Sequence, residues 1–210
     1  FKFSKNALFS SKTKKPTIIS VGMSSLDEVR HTMNIYNNEG NTDTVLLHCV
    51  SNYPCSDKSI NLNVIKTLQK NFMVPVGYSD HSSEITTPML AVALGATVIE
   101  KHITSDKSLD GPDHQASLDS SELVTTVELI RLAENMLGDG KKIPRDSELK
   151  NKDVVRKSLF AKKKIKKGQE YTSENVSIKR PGSGMQPHRI WEIIGKKASY
   201  DLKEGEYINE

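Results

Sequence analysis

The chain has 210 residues, 36% of them apolar and 27% charged, with two cysteines. This is enough for one large domain, or for a medium one and a small one, and it excludes fibrous, disordered and disulfide-stapled classes. Residues 1–150 hold 16 Lys and Arg against 18 Asp and Glu, whereas residues 151–210 hold 14 against 8, so a slightly acidic body precedes a basic tail.

The first residues, FKFSKNALFSSKTKK, carry no apolar core followed by small residues, so no signal peptide is expected, and with no initiator methionine a start inside a longer protein is expected. From Pro16 to Gly138 one unit repeats: an apolar strand, a polar strand end, an amphipathic helix. TIISVGMS (17–24) reads as the first strand. The helix after it opens at Ser25, which has capping-box spacing to Glu28, and stops at Gly40. TVLLHCVSNYP (44–54) is the second strand, followed by a helix around Leu62–Leu68. VPVGYSDH (74–81) is the third, followed by a helix around Met89–Leu94. The longest apolar stretch, Pro88 to Ile99, is too short to span a bilayer, so no membrane partner is expected. TVIEKHIT (97–104) is the fourth strand, followed by the loop KSLDGPDHQASLD. The last helix has a capping box at Asp119 and Glu122, a hydrophobic staple from Leu118 to Leu123, and an apolar stripe of Leu123, Val127, Ile130 and Leu137.

Such alternation implies parallel strands with right-handed crossovers, in an open doubly wound sheet or a (β/α)₈ barrel. No strand is followed by GxGxxG or a P-loop. Each strand instead ends in polar residues, where barrel enzymes place their chemistry, although four units make half a barrel. A polar linker, 143–152, leads to a small all-β domain over 153–210, in which KIKKGQEY (164–171) and DLKEGEYI (201–208) echo one another. The lysines of KKKIKKGQE read as a blunted strand edge. The tail lacks interleaved aromatics, so no nucleic acid is expected.

Alternation along a strand puts Gly77, Ser79 and His81 on one face, Val98, Glu100 and His102 on another, and Leu47, Cys49, Ser51 and Tyr53 on a third. If these faces point inward, His81 and His102 meet at one barrel mouth. Two imidazoles with oxygen ligands suit Mn²⁺, Fe²⁺ or Zn²⁺, and a strand-end histidine can equally be a hydrogen-bonded structural residue. Asp113 lies in the DGPDH loop beside that mouth, where an aspartate also serves as a turn former. Asp80 points to the opposite side and reads as structural. Cys49 and Cys55 read as reduced thiols.

Several stretches, in order, carry a resemblance: IISVGMSSLDEV, LLHCVSNYP, VPVGYSDH, AVALGATVIEKHIT, GPDHQASLD and FAKKKIKKGQ…IKRPGSG…IGKKA. From about Pro16 onward the chain resembles the sialic acid (N-acetylneuraminate) synthase family. The resemblance implies the C-terminal portion of a (β/α)₈ TIM barrel over residues 1–142, lacking the N-terminal half, and an antifreeze-like (SAF, β-clip) domain over 153–210. It implies a cytoplasmic transferase that condenses phosphoenolpyruvate with N-acetylmannosamine or a related 2-acetamido sugar, with Mn²⁺ or another divalent cation. By matching motifs, His81 and His102 would hold the metal. Ser20, Ser51 and Ser79 would bind phosphoenolpyruvate, and Tyr53 and Asp113 would serve the sugar and the chemistry. Arg180 would reach the active site of a second copy in a domain-swapped homodimer. The family's earlier lysine, serine and glutamate would precede Pro16. Lys2 is a candidate for the lysine, and the glutamate has no counterpart. His48 and His114 resemble the sialic or legionaminic branch more than the pseudaminic one. The competing expectations are a non-catalytic remnant serving as a binding or dimerisation module, and a metal-dependent barrel hydrolase that needs the two histidines but neither phosphoenolpyruvate nor Arg180.

Overall fold

The computed structural model describes residues 2–111 and 113–209, with side chains from residue 5 onward, so the side chain of Lys2 lies outside the described residues. It divides into two compact units, Phe1–Gly140 and Lys141–Glu210.

In the first unit, helix α1 (Lys2–Lys12) precedes β1 (Thr17–Ser20), α2 (Leu26–Asn38), β2 (Thr44–Cys49) and the short α3 (Asp57–Ile60). There follow α4 (Val64–Asn71), β3 (Val76–Asp80), α5 (Thr87–Ala93), β4 (Ile99–Lys101) and α6 (Ser120–Leu137). The four strands form one parallel sheet in chain order. Helices α2 and α6 start where their capping boxes demand. Ser25 N–H donates to Glu28 Oε2 at 2.7 Å, and Glu122 N–H donates to Asp119 Oδ1 at 2.9 Å. Each box satisfies backbone donors that the first helical turn leaves without partners.

The two faces of the sheet differ. Leu46, Val76 and Tyr78 on one face join Val29, Met33, Ile65 and Leu68 from the helices in the core. The opposite face is lined by Leu47, Gly77 and Val98, and then by polar residues. Gly77 is needed there for close approach. A Cβ at this position would sit 2.4 Å from the Val98 carbonyl oxygen and 2.6 Å from Leu47 Cδ2.

The second unit contains α7 (Asp146–Val155), β5 (Ser158–Ala161), β6 (Val176–Lys179) and α8 (Ile190–Ile193), with β5 and β6 antiparallel. The two sequence echoes pair with each other about a local twofold axis. Ile165 and Leu202 exchange N–H···O bonds of 2.9 and 2.8 Å. Gly168 N–H donates to the Ala198 carbonyl, and its counterpart Gly205 N–H donates to that of Ala161. Both turn glycines have positive φ, +82° and +83°, which side-chain-bearing residues adopt at a cost. Leu159, Ile165, Tyr171, Leu202 and Ile208 fill the core of this unit.

Several expectations change. The span 143–152 is not an extended linker, because most of it lies in α7, whose Arg145 N–H donates to Glu148 Oε2 at 2.8 Å across the first turn. The domain expected over 153–210 is not purely β, since it also holds the short helix α8 in the RIWEII stretch. The strands are shorter than their apolar patterns, because the polar ends of those patterns leave the ladder. In α6 the expected apolar stripe is not the buried one. Leu123, Val127 and Leu137 are exposed, and the small residues Thr126 and Ala133 are buried where α6 packs against α5. Of the expected Leu118–Leu123 staple, Leu118 is buried and Leu123 is exposed.

Candidate active site at the strand ends

A cleft of about 520 Å³ opens at the C-terminal ends of β1–β4. Strand register builds it in two layers. Cys49 pairs with Ser79 and Ser79 with Glu100, so these three side chains share one level of the inward face. Two residues further along each chain, Ser51, His81 and His102 form the next level. Tyr53 closes the outer side and Ser20 enters from β1. Glu28 adds a carboxylate from the first turn of α2.

The aromatic rings form a cluster. Tyr53 lies over His81 with ring centroids 4.0 Å apart, and His81 meets His102 edge-on at 5.5 Å. His81 is buried, and its Nδ1 lies 2.8 Å from the Val50 carbonyl oxygen. A carbonyl only accepts, so Nδ1 is the protonated nitrogen and Nε2 keeps its lone pair. The Ser79 hydroxyl, 3.3 Å from that Nε2, donates its single proton to Glu100 Oε2. Among the described residues, His81 Nε2 thus has the Ser79 hydroxyl as neighbour but receives no proton from it. His102 Nδ1 faces Asp113 Oδ2 at 3.8 Å, which leaves Nε2 for a ligand. A carbonyl or carboxylate behind the ring is the usual arrangement for a metal-binding imidazole.

The donor set therefore fits a divalent cation, which His81 and His102 would hold with water or substrate oxygens completing the shell. Among the described residues no three His, Cys, Asp or Glu side chains converge on one point. The lining includes Glu28 and Glu100 but no lysine or arginine among the described residues, an electrostatic setting that favours a cation. Burial, followed by the charges of Cys49, Asp113 and Glu100, pushes the Tyr53 phenol up, so it is a proton donor at neutral pH.

Of the residues singled out in the sequence, Ser20, Ser51, Tyr53, Ser79, His81 and His102 line this cleft. Asp113 does not line it and approaches through His102. Arg180 lies in the second unit with an exposed side chain. In the sequence, Glu100 and Cys49 stand out only for the faces they share, and Glu28 only as the capping partner of Ser25. The register and the capping-box position bring all three into the lining. His48 is 5% exposed on the core side, and its Nε2–H donates to the Ile60 carbonyl at 2.7 Å. Burial there holds its pKa below the ordinary histidine value. His48 therefore cannot read a sugar in the cleft. His114, bonded to Thr104 Oγ1 at 2.8 Å, also lies outside the lining. Cys49 and Cys55 are free and buried.

Fold and site together define a parallel α/β unit with a strand-end cleft, of the kind that carries chemistry on loops and strand ends. Residues 7–142 match the NeuB family and residues 156–210 match the SAF domain. The chain belongs to the NeuB family. It is 46% identical over 196 residues to the N,N'-diacetyllegionaminic acid synthase of Legionella pneumophila, covering 91% of this chain and 55% of that one. It is 44% identical over 199 residues to the pseudaminic acid synthase of Campylobacter jejuni, covering 95% and 58%. The chain thus spans somewhat over half the length of these relatives. The solved N-acetylneuraminic acid synthetase of Leptospira borgpetersenii, in complex with citrate, superposes with a TM-score of 0.66 at 37% identity, over 70% of this chain and 51% of that one.

Proposed function

We propose that the cleft takes part in condensing phosphoenolpyruvate with N-acetylmannosamine or a related 2-acetamido sugar, giving a nonulosonic acid and phosphate. The carrying observation is the pair of cleft-facing imidazoles under a stacked tyrosine, one of them buried with its Nε2 offered no proton by any described residue. The synthase names of the relatives support the reaction class, and their near-equal identities leave the sugar open. In this reading residues 1–140 correspond to the C-terminal portion of a (β/α)₈ barrel.

When bound by His81 and His102, a divalent ion such as Mn²⁺ supplies Lewis-acid polarisation of the sugar aldehyde. The other roles belong to the side chains. Tyr53 and Asp113 orient the open-chain sugar, and Ser20, Ser51 and Ser79 hold oxygens of phosphoenolpyruvate. The enol C=C opens as its carbon bonds to the aldehyde carbon, the aldehyde oxygen takes a proton from the Tyr53 phenol to become a hydroxyl, and positive charge develops at C2. Water adds at C2, and phosphate departs with C–O cleavage, taking up the proton that the C2 hydroxyl releases as it becomes the carbonyl. Glu100, the carboxylate of the inner layer, takes the proton of that water. Phosphate and carboxylate need cations that the described lining lacks. Arg180, delivered from a second copy in a homodimer, is this chain's candidate.

The test is phosphate release from phosphoenolpyruvate with N-acetylmannosamine, with and without Mn²⁺, in this chain and in the protein extended upstream. Release that requires both sugar and metal is expected. Metal-independent release, or an unchanged Mn²⁺ requirement in His81→Ala, overturns the assignment.

A further inference from the structure

We infer that the buried Asp80–Lys101 pair, on the face of the sheet opposite the cleft, is a clamp that positions the His81 imidazole. Its functional meaning rests on the reading of His81 as a cleft ligand. Asp80 and Lys101 end β3 and β4, directly before His81 and His102, and their side chains are 0% and 5% exposed. Lys101 Nζ donates to Asp80 Oδ2 at 2.8 Å and to the Ser82 carbonyl. Asp80 Oδ1 accepts from the Tyr78 hydroxyl at 3.1 Å and from Ser82 N–H at 2.9 Å.

The geometry brackets His81. Ser82, the next residue, is held at its N–H by Asp80 and at its carbonyl by Lys101. The carbonyl of His81 itself accepts from Cys55 N–H at 2.8 Å, and the Ser82 hydroxyl donates to Thr87 Oγ1 at 3.1 Å. The backbone on both sides of the imidazole thus has partners, and the ring's Nδ1–H is directed at Val50. The same pair ties the exit of β3 to that of β4, so the two histidines enter the cleft at one level. Stability alone gives no reason for such a pair. Buried ion pairs can often be replaced by neutral side chains of similar volume without loss. A side chain that points away from the cleft yet holds the peptide groups around a ligand is instead the expected form of a second, orienting layer.

The experiment uses the chain as it stands, with ¹⁵N-labelled histidine. The exchange rate of the His81 Nδ1 proton is measured in the wild-type chain, in Asp80→Asn/Lys101→Met and in Tyr78→Phe. The double variant is expected to fold and to exchange that proton at least about tenfold faster, the scale of lost orienting contacts. Tyr78→Phe, which removes one hydrogen bond to Asp80, is expected to accelerate exchange about fivefold. A merely structural pair would lower the melting temperature and leave exchange in folded molecules unchanged, and that result overturns the clamp. If the double variant does not fold, Tyr78→Phe decides alone. Mn²⁺ uptake, followed by the free-ion resonance, is expected to weaken by about 10- to 100-fold in the double variant. If the wild-type chain takes up no Mn²⁺, the proposed function falls, while the exchange rates still decide the clamp.

Discussion

At the scale of single residues, the inward face is decided by what is small. Gly77 sits between Leu47 and Val98 with no room for a Cβ, and the nearest obstacle is a backbone oxygen that cannot move aside. Gly77→Ala should therefore cost about 3 kcal/mol or more, at the upper end of overpacking effects, read as a shift in the denaturant midpoint of the first unit. A loss under about 1 kcal/mol would show that the strands can part. His48 makes the opposite point. A histidine in LLHC resembles a branch marker in the sequence, yet in the fold it is a core residue tied to Ile60. Strand alternation already puts it on the face opposite Cys49, and only the packing of α3 shows that this face is closed.

Among the elements, α6 shows how far local signals reach. Its start was legible, because a capping box is a contact within four residues and needs no tertiary partner. Its buried face was not, because burial depends on α5, and small residues there let the two helices approach. The cap also carries a pH signature. Glu122 is held below the ordinary carboxylate range mainly by its hydrogen bond from Lys107, and Asp119 mainly by the Glu122 backbone N–H. A carboxylate with a depressed folded pKa contributes stability that is present above its unfolded value and is lost as pH falls through the folded one. Melting of the first unit should therefore drop from about pH 4 downward, the ordinary carboxylate range. The drop should be shallower in Asp119→Asn/Glu122→Gln. Parallel melting curves for the two proteins would contradict the assignment.

Over the whole molecule, two units of opposite charge balance share one chain, the second held by a local twofold pairing of its two turn segments. The proposed delivery of Arg180 to a second copy gives a test that no single chain can pass. Mixing inactive His81→Ala with inactive Arg180→Ala protein should restore about a quarter of wild-type activity. Random exchange in a twofold dimer makes half the dimers mixed, each with one intact site. No recovery after subunit exchange would remove the partner's arginine from the mechanism.

What the sequence determined by itself is whatever is encoded over short range. Strand–helix alternation, the helix starts, the echo of two glycine turns, and the parity that puts Ser79 and His81 on one face all follow from backbone periodicities of 2 and 3.6 residues. Tertiary structure decided the rest. Register aligned Cys49, Ser79 and Glu100 into one layer, and the Val50 carbonyl and the Ser79–Glu100 bond left His81 Nε2 without a donor among the described residues. Asp80 met Lys101 across two strands, 21 residues apart in sequence. These are contacts between groups distant along the chain. Their geometry depends on how neighbouring strands slide and twist against each other, which no local pattern of residues records.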